Sequence, residues 1–268
     1  MVTCRMDVAY VGFGLQGWQS QGTGQSVQEK IEKGLSTFLG EPVKILGASR
    51  TDAGVHAEQQ VCVFQTAKEL NLHKLREGLN ALTPPEIVIT RAQIVDADFH
   101  PIRDCLAKAY RYSLWVGRPV SPFRSPYVWQ VPQQINIQSL SEMAQQFVGR
   151  HDFTSFCAAD SGAKTKTRTI IEAQVHQRNQ LVDIWILGEG FLKQMIRSMV
   201  GTLVQISLGR EKRPIMEIIE CRDRTEAGPT APAQGLCLHR VFYGKIIPLH
   251  EFTGEKQSPF GLGSDPQT

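Results

Sequence analysis

The segment Ser-Arg-Thr-Asp-Ala-Gly-Val-His-Ala, residues 49–57, contains an acid whose surroundings suit neither a helix nor a strand. Its carboxylate, on Asp52, could be a nucleophile, a general base or a metal ligand, although a lone aspartate in such a segment most often closes a turn. Asp52 and His56 are four residues apart, which only a helix would bring onto one face, and Gly54 argues against a helix. A metal site is therefore not expected, and His56 is predicted to make structural hydrogen bonds.

A second candidate is Arg197, in the segment 190–201 (GFLKQMIRSMVG). Apolar residues recur there at helical spacing and predict an amphipathic helix: Leu192, Met195, Ile196, Met199, Val200, Leu203 and Val204. At about 100° per residue, Arg197 falls at the margin of the apolar face, so its stem can pack while its guanidinium reaches a cleft. A guanidinium buried in this way needs an anionic partner. The alternative, a surface arginine, is the commoner case for a single residue.

Two further segments suit an RNA partner. In Tyr110-Arg111-Tyr112 the two-residue period of a strand places both tyrosines on one face, where they can pack in a core or stack on a nucleobase. In the segment 164–168 (KTKTR), an extended chain would align Lys164, Lys166 and Arg168, although a solvated loop is the commoner interpretation. Further cations indicate an extended basic surface: Arg103, Lys108, Arg111, Arg118 and Arg124.

The elements that must position these residues follow from hydrophobic patterns. Strands are predicted at 6–11, 43–46, 60–64, 86–91, 110–116, 169–176 and 181–187. Helices are predicted from the capping box Ser26-Val-Gln-Glu29 to Gly40, over 73–82, and from a second capping box, Ser139-Leu-Ser-Glu142. The same order of strand, helix, strands and helix recurs in both halves. This order predicts an α+β fold built from two similar units whose sheets are joined.

Composition limits the class of protein. The chain has 268 residues, 41% of them hydrophobic, and a formal net charge of +3, which neither demands nor excludes a polyanionic partner. No apolar run is long enough to span a membrane, and the first residues lack the pattern of a secretory signal, so a cytoplasmic protein is expected. Six scattered cysteines show no metal-binding spacing, and no nucleotide-binding glycine motif is present.

Taken together, five motifs resemble the tRNA pseudouridine synthase A family. They occur in order between about residues 9 and 243: Gly17-Trp18-Gln19, SRTDAGVHA (49–57), Tyr110-Arg111-Tyr112, GFLKQMIRSMVG (190–201) and Ala231-Pro-Ala-Gln-Gly-Leu236. Five separate matches are far more specific than any one of them. The resemblance implies the pseudouridine synthase fold: two similar α+β halves share a mixed, largely antiparallel sheet with a central cleft. The halves are expected at 1–104 and 105–247, followed by a polar, flexible tail at 248–268.

The resemblance also implies a reaction. Members of this family isomerise uridine to pseudouridine at nucleotides 38, 39 and 40 of the tRNA anticodon stem-loop, as homodimers, without a metal or an organic cofactor. The essential carboxylate falls on Asp52, the arginine that pairs with it on Arg197, and the tyrosine that stacks on the flipped uracil on Tyr110. Arg50 would hold the RNA backbone or fill the place of the flipped base. The basic segment Lys164, Lys166 and Arg168 remains a candidate for binding the RNA.

Departures from the family pattern leave alternatives open. Val11 and Phe13 stand where the family has an acid and a hydroxyl, Ile102 follows Pro101 where the family commonly has Ala-Arg, and Ser198 stands where asparagine is frequent. A non-catalytic tRNA-binding protein of the same fold is one alternative. A metal-dependent hydrolase that uses Asp52 and His56 is another, and it predicts loss of activity with a chelator.

Overall fold

The computed structural model describes residues 1–252, which form ten strands and five α-helices. The strands are β1 (Val2–Tyr10), β2 (Leu46–Gly47), β3 (His56–Thr66), β4 (Ile87–Val95), β5 (Ala107–Val116), β6 (Trp129–Val131), β7 (Gly149–Asp152), β8 (Thr167–Arg178), β9 (Leu181–Gly188) and β10 (Leu236–Phe242). The helices are α1 (Val27–Leu39), α2 (Leu72–Leu82), α3 (Ile137–Gln145), α4 (Met195–Ser207) and α5 (Ile215–Cys221).

All ten strands belong to one sheet. Its main path runs β4-β1-β3-β10-β5-β9-β8-β7, with β2 paired to β3 and β6 paired to β5. Among the described strands, only the β3–β10 and β5–β6 pairs are parallel, so the predicted α+β fold with a mixed, largely antiparallel sheet is confirmed. The strands of the first 104 residues lie at one end of the path and meet the later strands where β3 pairs with β10. That junction is short, with Cys237 opposite His56 and Leu238 opposite Ala57.

Helix α1 forms as its sequence predicts. The Ser26 side chain accepts a hydrogen bond from the backbone N–H of Glu29, and the Glu29 carboxylate accepts one from the backbone N–H of Ser26. Glu29 also accepts hydrogen bonds from the preceding loop, including the backbone N–H of Gly22 at 2.6 Å. The bond from the Ser26 N–H, together with these, lowers the pKa of Glu29 to about 2. Gly40 ends the helix in the left-handed conformation, with φ of 67°. One carboxylate therefore fixes both the start of the helix and the loop before it.

Three local predictions need correction. The second helix start is not a capping box at Ser139, because Asn136 caps α3 and its side chain accepts a hydrogen bond from the Ser139 backbone N–H at 3.0 Å. The strand expected at 43–46 is reduced to Leu46–Gly47, where the chain pairs with β3 for only two residues. The helix expected from Leu192 begins at Met195, because Gln194 takes a left-handed backbone conformation with φ of 59°.

The two faces of the sheet bury different clusters. The large core includes the alternate β5 residues Tyr110, Tyr112 and Leu114, whereas Ala107 and Ala109 belong to a smaller cluster with Trp185, Leu187, Phe242, Leu249 and Phe252. The two-residue period of β5 places these sets on opposite faces. The tail expected from residue 248 thus begins with a short 3-10 turn, Leu249–Glu251, and a buried Phe252. The rest of it, 253–268, lies outside the described residues.

Candidate active site

Asp52 lies in the loop between β2 and β3, where backbone contacts fix the chain. The carbonyl oxygen of Thr51 accepts a hydrogen bond from the Trp18 backbone N–H at 3.1 Å, and that of Asp52 accepts one from the Val55 N–H at 3.1 Å. Gly17 permits the close approach, since a Cβ there would lie 2.6 Å from the Thr51 carbonyl oxygen. Gly54 closes the turn with φ of 81°. Asp52 is thus a turn residue, and the turn holds its side chain at the edge of a cleft.

The carboxylate of Asp52 forms an ion pair with Arg197. Its Oδ2 lies 2.7 Å from Nη1 of Arg197, and Nε of Arg197 donates to the carbonyl oxygen of Ala231 at 2.8 Å. The Ala231 backbone N–H donates in return to the Arg197 carbonyl oxygen at 3.0 Å. The arginine side chain is 14% exposed and that of the aspartate 25%. The guanidinium is therefore held from two sides, and the acid keeps an open side towards the cleft.

Tyr110 lies beside this pair on β5. Its hydroxyl is 2.8 Å from the Ser49 hydroxyl, and its ring meets that of Phe191 edge-on, with 5.1 Å between ring centroids. Burial raises the pKa of Tyr110 well above its usual range, to which the charge of Asp52 adds. The side chain thus acts as a neutral phenol with a fixed hydroxyl. Tyr112, on the same face, is a structural residue, because its hydroxyl donates to the Pro232 carbonyl oxygen at 2.7 Å.

His56 joins three loops around the site. Its Nδ1 accepts a hydrogen bond from the Gly12 backbone N–H at 3.0 Å, and its Nε2 lies 3.1 Å from the carbonyl oxygens of both Pro126 and Gln234. Nε2 faces two carbonyl oxygens and therefore carries a proton, whereas Nδ1 accepts a hydrogen bond and carries none. The imidazole is thus neutral. Burial lowers its pKa accordingly. The geometry gives His56 the structural hydrogen bonds that its sequence context suggested.

Protonation of His56 is expected to destabilise the protein in mild acid. The pKa is lower in the folded state than the ordinary value of 6.5, so the neutral ring stabilises the fold fully above pH 6.5, and this contribution is lost as pH falls below 6.5. Melting temperatures measured by circular dichroism from pH 8 to 5 should show this loss. In His56→Gln, which cannot titrate, the fall over the same range should be smaller. An identical pH dependence in the two proteins would contradict the assignment.

A cleft of about 920 Å³ opens beside Asp52 between the two halves of the sheet. Its walls include Asp52, Tyr110, Arg197, Phe191 and Leu236, and its rim carries the exposed Arg50. Polar side chains from the loop before α1 reach it as well: Gln16, Gln19 and Gln21. The acid, the arginine, the tyrosine and Arg50 therefore meet in one cavity large enough for a nucleotide.

The basic segment lies apart from this lining. Lys164 is exposed and Lys166 half-buried, both before β8 begins, and Arg168 donates from Nη1 to the carbonyl oxygens of Thr165 and Thr167 at 2.9 and 2.7 Å. None of the three belongs to the cleft wall among the described residues. Arg111 is not part of a basic surface at all, because it is buried and forms an ion pair with Glu58 at 2.9 Å.

The departures from the family pattern form no contact in the Asp52–Arg197 ion pair, and of them only Ile102 lines the cleft. Phe13 is 72% exposed at a loop tip, and Ile102, at 51%, lines the cleft. Ser198 is fully buried on α4. Residues that the motifs contained but did not single out also contribute: Ser49, Phe191 and the Ala231 carbonyl. A serine, a phenylalanine and a backbone carbonyl do not by themselves indicate a functional site in the sequence. Only the fold brings them to Tyr110 and Arg197.

Within residues 1–252, no three His, Cys, Asp or Glu side chains converge as they would around a metal ion. None of the helices in this part of the chain has the length and apolar character that crossing a lipid bilayer requires.

The sequence around this site matches a known protein family. A sequence profile described as tRNA pseudouridine synthase matches residues 8–102 and 143–244, which include Asp52 and Arg197. The chain belongs to the tRNA pseudouridine synthase family. Tyr110 lies between the two matched stretches of the family profile. The family prediction is thus confirmed, and the chain is an enzyme that isomerises uridine to pseudouridine in tRNA.

Relatives within the family align over nearly their whole length. The chain is 39% identical over 244 residues to the tRNA pseudouridine synthase A of Pelobacter propionicus, covering 91% of this chain and 100% of the relative. It is 37% identical over 244 residues to that of Acetivibrio thermocellus, with the same coverage. Among solved structures it aligns with a Cbf5-Nop10-Gar1 complex at 14% identity and a TM-score of 0.35, over 75% of this chain and 44% of that one. This structural likeness is too slight to support an argument.

Proposed function

We propose that this enzyme converts uridine to pseudouridine at nucleotides 38, 39 and 40 of the tRNA anticodon stem-loop, with Asp52 as the essential carboxylate. The observation that supports the proposal is the ion pair between Asp52 and Arg197 at the cleft, 2.7 Å apart, with Tyr110 beside it. A carboxylate that is one quarter exposed and paired with a fixed guanidinium is suited to attack or to accept a proton. A protein that only bound tRNA would have no use for this charge.

The reaction moves one glycosidic bond without any net gain or loss of atoms. The C1′–N1 bond breaks, the uracil rotates, and C1′ bonds to C5, after which the C5 proton leaves and N1 carries a proton from solvent. Asp52 would act as a nucleophile at C1′ or at C6, or would remove the ribose 2′ proton. All three routes need an ionised carboxylate. Arg197 supplies the opposite charge and remains fixed by the Ala231 carbonyl throughout.

Tyr110 and Arg50 would handle the base and the RNA strand. The target uridine must leave the base stack to reach Asp52, and an aromatic ring is the surface on which a flipped base stacks. Arg50, exposed at the cleft rim two residues before Asp52, would bind the backbone or occupy the vacated position. The basic residues Lys164, Lys166 and Arg168 would bind the RNA beyond the cleft wall.

Tyr110→Phe is expected to bind tRNA almost normally but to turn over about 10-fold to 100-fold more slowly. The ring is kept, so stacking survives, whereas the hydroxyl held by Ser49 is lost. Because the phenol stays neutral in its buried site, it would assist proton transfer from C5 through a hydrogen bond. Single-turnover rates and binding constants measured with the same tRNA separate the two effects. A rate equal to that of the wild type would leave only the stacking role.

Tritium release from tRNA labelled at C5 of uridine tests the proposed function. Release by the wild type in the presence of a chelator, and mapping of the product to nucleotides 38–40, would support it. Release that stops with the chelator would show that the isomerisation needs a metal ion, against the proposal, whereas cleavage of the tRNA without release would favour the hydrolase alternative. Tight tRNA binding without release would favour the non-catalytic alternative.

The proposal extends to assembly and location. We expect a homodimer, as the family resemblance implies, and a cytoplasmic enzyme, where its tRNA substrate is found. Sedimentation velocity at micromolar concentration tests the first of these expectations.

A further inference from the structure

Lys108 is a cation in the wall of the cleft, and the described part of the chain supplies no anionic partner for it. It lies on β5 two residues before Tyr110, on the same face of the strand, and lines the cavity. Among residues 1–252, no carboxylate lies within ion-pair distance of its ammonium, and no side-chain hydrogen bond is formed by it. The side chain is nevertheless half-buried, and burial lowers its pKa. An unpaired ammonium in such a place costs free energy, so its presence calls for an explanation.

Arg168 brings a second positive charge near Lys108, from just outside the cleft wall. Lys108 stands opposite Gly188 on β9, and Gly188 stands opposite Ile170 on β8, two residues beyond Arg168. The Cδ of Arg168 lies 3.6 Å from the position that a Cβ on Gly190 would take, so the arginine lies against the turn that follows β9. Its charge is close enough to Lys108 to lower the pKa of the lysine further.

Within residues 1–252, no acid is paired with either of these two cations. Glu189, on the turn between them, is exposed and forms no ion pair with either within the described part of the chain. The free protein thus holds two like charges near each other, both half-buried, which is unfavourable until an anion binds. Two unpaired cations of this kind destabilise the free protein, so we attribute them to the binding of an anionic ligand.

We propose that Lys108, supported by Arg168, binds one phosphate of the substrate RNA next to the target uridine. Lys108 lies two positions before Tyr110 on β5, about 6.6 Å along the strand, so a nucleotide whose base stacks on Tyr110 would bring a neighbouring phosphate to the lysine. This contact would position the flipped nucleotide over Asp52. The inference rests on the proposed function for the choice of ligand, a ribonucleotide phosphate.

Binding to a synthetic anticodon stem-loop RNA tests this proposal, with Asp52→Asn as the background so that no turnover occurs. Single phosphates around nucleotides 37–41 are replaced, one at a time, by neutral methylphosphonates. At one of these RNA positions, the methylphosphonate should weaken binding to the Asp52→Asn protein about tenfold. Asp52→Asn with Lys108→Met should bind the unmodified RNA about tenfold more weakly and lose nothing further at that same position. The slope of log affinity against log salt concentration should also become about one unit less steep, since one fewer phosphate is neutralised.

A stability measurement separates this role from a structural one. Lys108→Met removes an unpaired ammonium from a half-buried place, so it should raise the melting temperature of the free protein by about 2–4 °C. Lys108→Arg should keep most of the affinity. Lys33→Met, at an exposed position on α1, serves as the matched control and should change neither quantity.

Two results would overturn the inference. One is that each methylphosphonate weakens binding by the same factor in Asp52→Asn and in Asp52→Asn with Lys108→Met. The other is a loss of affinity accompanied by a lower melting temperature, which would assign Lys108 to the fold. Both are binding or stability results, so they stand apart from the release of tritium that tests the proposed function.

Discussion

Replacing Asp52 by asparagine is expected to reduce pseudouridine formation by at least about 10⁴-fold. Asparagine has the same shape and can still accept a hydrogen bond from Nη1 of Arg197, so the loop and the guanidinium should stay in place. It has no negative charge and can neither form a covalent bond to the sugar or base nor take up a proton. Tritium release under single-turnover conditions measures the loss, and a filter-binding assay should show that tRNA binding is kept.

Asp98→Asn provides the control for this substitution. Asp98 is exposed and outside the cleft wall, so the same change there should leave the rate unaltered. Pseudouridine formation by Asp52→Asn at a rate near that of the wild type would refute the role of the carboxylate. Loss of the fold, seen in the circular dichroism spectrum, would instead show that the acid serves the loop alone.

Arg197→Ala is expected to combine a large loss of rate with a loss of stability. The substitution leaves the Asp52 carboxylate without its 2.7 Å partner and leaves the Ala231 carbonyl oxygen without its donor. Loss of the charge that stabilises the anion should slow the reaction about 10²-fold to 10³-fold. The free energy of unfolding should fall by about 2 kcal/mol, below the range for a fully buried pair because Asp52 is partly exposed. Urea unfolding and single-turnover kinetics measure the two effects.

Arg197→Lys tests which part of the guanidinium matters. Lysine keeps the positive charge but cannot bind the carboxylate and the Ala231 carbonyl together in the fixed geometry of arginine. Its rate should therefore lie between that of the Arg197→Ala variant and that of the wild-type enzyme. Unchanged kinetics in Arg197→Ala would mean that the ion pair has no part in the reaction.

The sequence predicted what depends on local chemistry. The capping box at Ser26, the left-handed Gly40 and the apolar face of α4 each follow from a few adjacent residues, and all three are present. The position of Arg197 at the margin of that face allowed either a surface arginine or a partly buried guanidinium in need of an anion, and the structure pairs it with Asp52. The placement of α3 was missed because Asn136 and Ser139 both fit a helix start, and single-sequence patterns do not rank them.

The rest depends on contacts between distant parts of the chain. Nothing in the residues of β10 indicates that it inserts between β3 and β5, and that insertion brings the segment after α5 to the site. The Ala231 carbonyl oxygen and the His56 contact with Gln234 follow from it. The predicted basic surface included Arg111 for a related reason. A charge pattern does not show that Arg111 lies on the face of the sheet opposite to Tyr110, where it is paired with Glu58.

The junction between β3 and β10 also dictates when activity can arise during synthesis. Asp52 and Arg197 are 145 residues apart, and His56 and Ala57 at the start of β3 lack their β10 partners until residues 236–242 have left the ribosome. Contacts of such long range form late, because the entropy of closing a large loop must be overcome first. The nascent amino-terminal half therefore carries Asp52 next to a strand segment without its partner, a state that favours pairing with other chains. The cleft that holds Asp52 is complete only when β10, which brings Leu236 to its wall, has joined the sheet.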